Sequence, residues 1–354
     1  MRFGRGSRDQ PIFFRGFAPS SARPRAYGAR VSKTTDVRPG PTVSRVGYAL
    51  VAISAAFAAG NGVAGRLVID VGVSPRELSA VRIYGAALIL LVAVLPHLRT
   101  MRRADLVQLI PFAIVGFVAG QGLYFQAISR VDIAVVLVIV FTAPLLVAMY
   151  QRIVHDESLP RYAYVAMGVA VIGLALAILG AGDIGDLSVL GLVLAGLTMV
   201  AYSASVIMAA GLRTTLPPLA RTGAGLTIAA VAWLVIVPPW TLPLDLLGET
   251  TTFDGRVGFS LPVWTAVAFM VVVGTVGVYG TWVAGTSRVG AGAASVVGMA
   301  EPMLGAMFAW ALLGQNLSAL QSLGIATTVG GIVVVEHARV RSSRDGIHDV
   351  PVDL

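Results

Sequence analysis

Gly122-Leu-Tyr-Phe-Gln-Ala-Ile-Ser-Arg-Val-Asp-Ile-Ala134 decides the fold, because its centre returns 158 residues later. Ser129-Arg130-Val131 reappears as Ser287-Arg288-Val289 within Trp282-Val-Ala-Gly-Thr-Ser-Arg-Val-Gly-Ala-Gly-Ala-Ala294. At the same offset Pro144 meets Pro302, Leu146 meets Leu304, Ala148-Met149 meets Ala306-Met307 and Leu159 meets Leu317. Each copy is a short polar connection, an apolar run with proline inside it, and a polar turn. Soluble solenoids repeat every ~20–50 residues and need several copies, so a long period used twice marks a duplicated domain.

Working outward, the chain around these copies is apolar. Hydrophobic residues make up 56% and charged residues 12% of its 354 positions, where a soluble domain carries about a quarter charged; the mean hydropathy is +0.82. The apolar residues come in runs of about 18–24, long enough to cross the hydrocarbon core of a bilayer as helices. Forty glycines and eighteen prolines suit membrane helices, where neighbouring helices satisfy the backbone groups that these residues free. The absence of cysteine excludes disulfides, thiolate metal sites and cysteine nucleophiles.

Ten spans can be drawn. They lie near Val46–Val68, Leu78–Leu95, Leu106–Ile128, Ile133–Tyr150, Tyr162–Leu179, Val189–Ala210, Leu219–Trp240, Leu261–Ala284, Gly290–Leu313 and Leu320–Val335. Five precede Asp183 and five follow it, and the second is the least secure because Arg82 falls in its first turns. With the N-terminus inside, the inner segments carry 21 of the 26 Lys/Arg and the outer ones only Arg66, Arg76, Arg130 and Arg256. Under the positive-inside rule both termini are therefore expected in the cytoplasm, and the pI near 10.3 reports topology, not nucleic-acid binding. An odd number of spans per half turns the second half over. The expected fold class is all-α integral membrane, with ten transmembrane helices as two inverted five-helix repeats, an arrangement that can alternate between inward-open and outward-open states.

The expected organisation is a disordered basic tail over 1–45, repeats over 46–180 and 187–336, and a polar C-terminal tail over 337–354. The first tail is rich in Arg, Pro, Gly and Ser and lacks the apolar core of a secretion signal. Attraction to anionic headgroups and a dispensable upstream extension are its two readings.

Gly122–Ala134, followed by Phe141-Thr-Ala-Pro-Leu-Leu146 and His155-Asp-Glu-Ser-Leu159, resembles an EamA domain, the repeat unit of the drug/metabolite transporter superfamily. Trp282–Ala294 with Met299-Ala-Glu-Pro-Met-Leu304 resembles it more closely, and the likeness covers about residues 46–336. The resemblance implies secondary transport of small polar metabolites across the plasma membrane, often outward, through a cavity lined by the first, third, fourth, sixth, eighth and ninth spans. One departure is that the acidic Glu157 after the first proline span is matched by Gln315.

Glu301 is the acidic residue near the middle of a span. A charged carboxylate there costs about 2.5–3.5 kcal/mol on insertion scales, so it should face the bundle interior or be protonated. Proton coupling or binding of a substrate amine is one reading; a structural carboxyl beside the Pro302 break is the other. Pro144 and Pro302 are hinge or gate candidates, with plain packing kinks as the alternative. Arg82 is placed to bind a carboxylate bidentately, to pair with Glu301, or to snorkel to the outer headgroups. Asp132 fits a helix N-cap.

Asn61, Gln121, Tyr124, Gln126, Tyr202, Ser203, Ser205, Tyr279 and Trp282 complete the cavity candidates. At the repeat offset Gln121 faces Tyr279 and Tyr124 faces Trp282. Aromatic rings with a few amides and hydroxyls suit a small amphiphilic solute such as an amino acid, although any one of these groups can serve helix packing instead.

Gly116 and Gly120 form a small-xxx-small pair, read as tight packing with homodimerisation as the alternative. His97, His155, His337 and His348 fall in expected loops or tails without metal-ligand spacing. No phosphate-binding loop occurs, so ATP-driven transport is not expected. With no nucleophile–base or metal constellation visible, no cofactor, metal or catalytic residue is expected either, and the partners expected are a small-molecule substrate, the lipid bilayer and protons. A lipid-linked carrier translocase on the same scaffold and a non-transporting sensor or scaffold are the other functional readings.

Overall fold

The computed structural model of the chain describes residues 41–154, 160–180, 188–253, 258–290, 294 and 297–348. Its helices are α1 (Pro41–Asp70), α2 (Pro75–Val94), α3 (Arg103–Ala113), α4 (Gly120–Ile128), α5 (Ile133–Val140), α6 (Ala143–Val154) and α7 (Arg161–Leu179). They continue with α8 (Val189–Gly211), α9 (Pro218–Ile236), α10 (Val263–Val271), α11 (Val278–Val289), α12 (Glu301–Leu312) and α13 (Ala319–His348). Two π-helical segments, Ile114–Ala119 and Val272–Gly277, weld α3 to α4 and α10 to α11. Among the described residues, nine helical runs are long and apolar enough to cross a membrane. The expected ninth span is represented by α12, twelve residues long, preceded by positions outside the described set. Most of the tail to Arg45, together with His155, Glu157 and Asp183, also lies outside it.

The second span forms without difficulty. Ser74 and Glu77 make a reciprocal capping box at the start of α2, with Pro75 in its first turn, which satisfies two of the free N–H groups of a helix start. Other expectations shift. Pro238-Pro239 ends α9 early, so Trp240 falls in a short 3-10 turn, and Leu261 belongs to a hairpin of β1 (Thr250–Phe253) and β2 (Phe259–Pro262). The C-terminal tail is helical as far as His348, which carries both His337 and His348 on α13. Asp132 stands at the N-cap of α5 but caps through its backbone, without a side-chain hydrogen bond.

The sequence offset is also a structural offset. Moving 158 residues along carries the first π segment onto the second, the first residue of α4 onto that of α11, of α6 onto α12 and of α7 onto α13. The turn Phe141-Thr142 before α6 maps onto Met299-Ala300 before α12. Pro144 and Pro302 are thus second residues of their helices. They occupy a first turn, where the missing N–H is not needed, and the break precedes each proline instead of following from it.

Glycine brings equivalent helices together. Along α7 and α13, Gly180 meets Gln321, Gly173 meets Gly324 and Thr328, and Ala166 meets Gly331, so the two run antiparallel. The pair α2 and α9 does likewise: the Tyr84 hydroxyl donates to the Val237 carbonyl at 2.6 Å, while Gly223 lies against Leu90 and Val94. Helix α1 crosses α10–α11 through Gly47–Arg288, Val51–Gly285 and Asn61–Gly274. Its counterpart contact, α8 against α3–α4, runs through Gly116–Ser205 and Val131–Gly191. Small residues permit this approach in lipid, where packing replaces the hydrophobic drive between helices. The outer faces are apolar: Val235 is 86%, Ile153 75% and Leu88 71% exposed, a surface that a bilayer covers at low cost.

Expected outer segments meet at one end of the bundle. Arg66 donates to the Ile128 carbonyl at 2.7 Å, Thr251 to the Leu67 carbonyl at 3.3 Å and Ser318 to the Gly180 carbonyl at 2.6 Å. Expected inner segments meet at the other, where the Arg213 N–H donates to Gln108 at 2.9 Å and Thr215 to Asp105 at 3.3 Å.

Candidate functional site

A cavity of about 250 Å³ lies in the centre of the bundle. Ser54, Ala58 and Asn61 reach it from one face of α1, spaced by four and three residues as a helix requires. Gly116 and Gly120 enter from the first π segment and its end, Gly274 and Val278 from the second. Gln121 and Tyr124 on α4 face it together with their repeat counterparts, Tyr279 and Trp282 on α11. Phe141, Thr198, Tyr202, Arg82 and Glu301 complete the polar and aromatic wall.

Arg82 does not snorkel. It is 6% exposed and turns inward, where its Nε donates to Thr275 Oγ1 at 2.7 Å and its Nη1 to Gln121 Oε1 at 2.6 Å. The guanidinium carbon lies 5.4 Å from the centroid of the Phe125 ring, within cation–π range. Nor does Arg82 form an ion pair with Glu301, although both line the cavity. Glu301 is the first residue of α12, at the position that Ala143 holds in α6. Asn61 Oδ1 is buried without a hydrogen-bond partner among the described residues.

The two halves match separate segments of the chain to one family model: residues 45–179 and 189–336 both correspond to the EamA-like transporter family. The chain belongs to this family. It is 25% identical over 262 residues to the uncharacterized transporter YdfC of Bacillus subtilis (strain 168), covering 74% of this chain and 81% of the relative. A solved crystal structure superposes with a TM-score of 0.51 over 85% of this chain and 98% of its own, at 19% identity, a likeness of fold alone.

Within this EamA-like bundle, eight of the eleven expected cavity residues come together: Asn61, Arg82, Gln121, Tyr124, Tyr202, Tyr279, Trp282 and Glu301. Three do not reach the wall. The Ser203 hydroxyl donates to the Met199 carbonyl at 2.8 Å and the Ala143 carbonyl at 3.3 Å. Ser205 donates to the Tyr202 carbonyl at 2.7 Å and packs on Gly116, and Gln126 lies beyond the cavity on α4. Gly116 and Gly120 face the interior, which removes this pair as a dimer face. Sequence reasoning passed over Ser54, Thr198 and Phe141 on the wall, and Thr275 behind it. Ser54 was within reach of it, because it lies two helical turns from Asn61 on the same face. Thr275 was not, since its counterpart at the repeat offset is Phe117.

Proposed function

We propose that this EamA-like transporter is a secondary transporter that exports a small amino-acid-like or amphiphilic metabolite from the cytoplasm by alternating access. The observation that carries the reading is the central cavity walled by matched positions of both halves: Gly116 and Gly274, Gln121 and Tyr279, Tyr124 and Trp282. Antiparallel packing of α7 on α13 and of α2 on α9 supports inverted repeats, since equivalent helices run antiparallel when the relating axis lies in the membrane plane. Ten helices, five per half, follow if the segment leading into α12 completes the ninth span. The bias of Lys/Arg towards the inner segments supports both termini in the cytoplasm, and the plasma membrane is the location that goes with this reading.

Glu301 is the proton-coupling residue of this reading. It is a carboxyl on the wall of an intramembrane cavity, where gaining and losing a proton is far cheaper than staying charged throughout the cycle. The turns before Pro144 and Pro302 are the paired hinges. No group on the wall supplies nucleophilic or metal chemistry in the proposal, and Arg82, its one basic side chain among the described residues, gives little hold for the pyrophosphate of a lipid-linked carrier. Purified protein in liposomes should move an amino acid or an amphiphilic amine faster than protein-free vesicles. Equal rates across such a panel would remove transport from the account.

A further inference from the structure

Arg82 is a buried cation that no ion pair neutralises among the described residues. No carboxylate among the described residues forms an ion pair with it, and its charge rests on two neutral acceptors, Thr275 Oγ1 and Gln121 Oε1, and on the face of Phe125. A buried guanidinium left in this way is costly unless a counter-charge arrives. The cavity is where one can arrive, because Arg82 and Gln121 line it while Thr275 stands behind them. Thr275 is bound on its other side too: its hydroxyl donates to the Met270 carbonyl, five residues back, at 2.8 Å. That bond ties the hydroxyl to the π-helical turn of the eighth span and leaves its oxygen lone pairs facing Arg82. With Nε and Nη1 engaged, the guanidinium is fixed in one plane, and its remaining N–H groups are available to a planar oxyanion.

We propose that Thr275 and Gln121 are positioning residues that hold Arg82 as a preorganised receptor for the carboxylate of the transported solute. The arrangement selects acids over the corresponding amides and amines. In a solute that also carries an amine, the opposite charge has Glu301 on the same cavity wall. The inference rests on the transport reading above for its site and goes beyond it in naming the group recognised and the residues that set the preference.

The test uses matched trios built on one side chain: an amino acid, its carboxamide and its decarboxylated amine, with valine, leucine, methionine and phenylalanine side chains. Binding to the purified full chain is measured by isothermal titration, and flux in liposomes. At least one acid should bind ten times or more tighter than its amide and its amine. Thr275→Val should bring that acid-to-amide ratio close to one, and Thr275→Ser, which restores the hydroxyl, should bring it back. A merely structural role would weaken acid and amide together and leave their ratio unchanged. An unchanged ratio in Thr275→Val, equal binding of acids and amides, or no binding of any acid overturns the proposal. Binding of acids without flux would instead overturn the transport reading and leave the carboxylate receptor standing. Equal flux of acids, amides and amines would do the reverse.

Discussion

Arg82 and Glu301 show what one residue contributes that its neighbours cannot. Both sit in apolar stretches of sequence, which tell their depth but not their direction. A long side chain near the end of a span can snorkel, and nothing in the local pattern around Arg82 reveals that Thr275 and Gln121, 193 and 39 positions away, wait to receive it. Glu301 was legible for the opposite reason, since a carboxyl at mid-span has few places to go but the interior. If it carries the proton, Glu301→Gln should abolish the stimulation of solute uptake by an interior-acid gradient in inside-out liposomes. It should leave exchange of solute for solute at saturating solute, even where loss of the carboxyl weakens the hold on a solute amine. A pH-driven rate equal to that of the unmodified chain would show the carboxyl to be structural. The sign follows from antiport: protons leaving an acidic lumen draw the solute in, and neutral glutamine cannot carry them.

Helices were the most legible level. Their apolar runs set most boundaries to within a few residues, and the repeat offset placed the prolines correctly in pairs. What the prolines do was less legible, because a proline in an apolar run reads as a kink until its position relative to the helix start is known. At the second position of α12, Pro302→Ala should destabilise by up to about 1 kcal/mol, through the unfolded chain. A proline in a helix interior would give the opposite sign, a gain of about 3 kcal/mol on removal. Thermal unfolding in detergent distinguishes the two. The π segments left no trace in composition, because one extra residue per turn alters which groups face inward and not which residue types are used; only their recurrence at the offset marks them. Gly324 belongs to the α7–α13 contact, where an added Cβ would meet the backbone of Ala177 and Gly173. Gly324→Ala should therefore cost about 1–3 kcal/mol through overpacking, seen as a lower unfolding temperature. An unchanged unfolding temperature would mean that α7 and α13 do not approach this closely at Gly324.

For the whole molecule, the duplication read from Ser129-Arg130-Val131 reappears as matched helix starts, matched π segments and antiparallel packing of equivalent helices. Folding brings distant positions of both halves to one cavity, so its membership could be read only where a span, a depth and a repeat counterpart coincided, as for Gln121 with Tyr279. The absence of cysteine makes orientation straightforward to test. In intact cells a membrane-impermeant maleimide should label Thr252→Cys in the hairpin and not Thr100→Cys after α2; the reverse pattern would invert the topology. The central claim is that one cavity serves both sides of the membrane in turn, and solute counterflow tests it most directly. Liposomes containing the protein and loaded with unlabelled amino acid should transiently accumulate the labelled form from a dilute external pool, above the level in protein-free vesicles. Labelled uptake that never exceeds the protein-free control, for any member of the acid, amide and amine panel, would contradict alternating access.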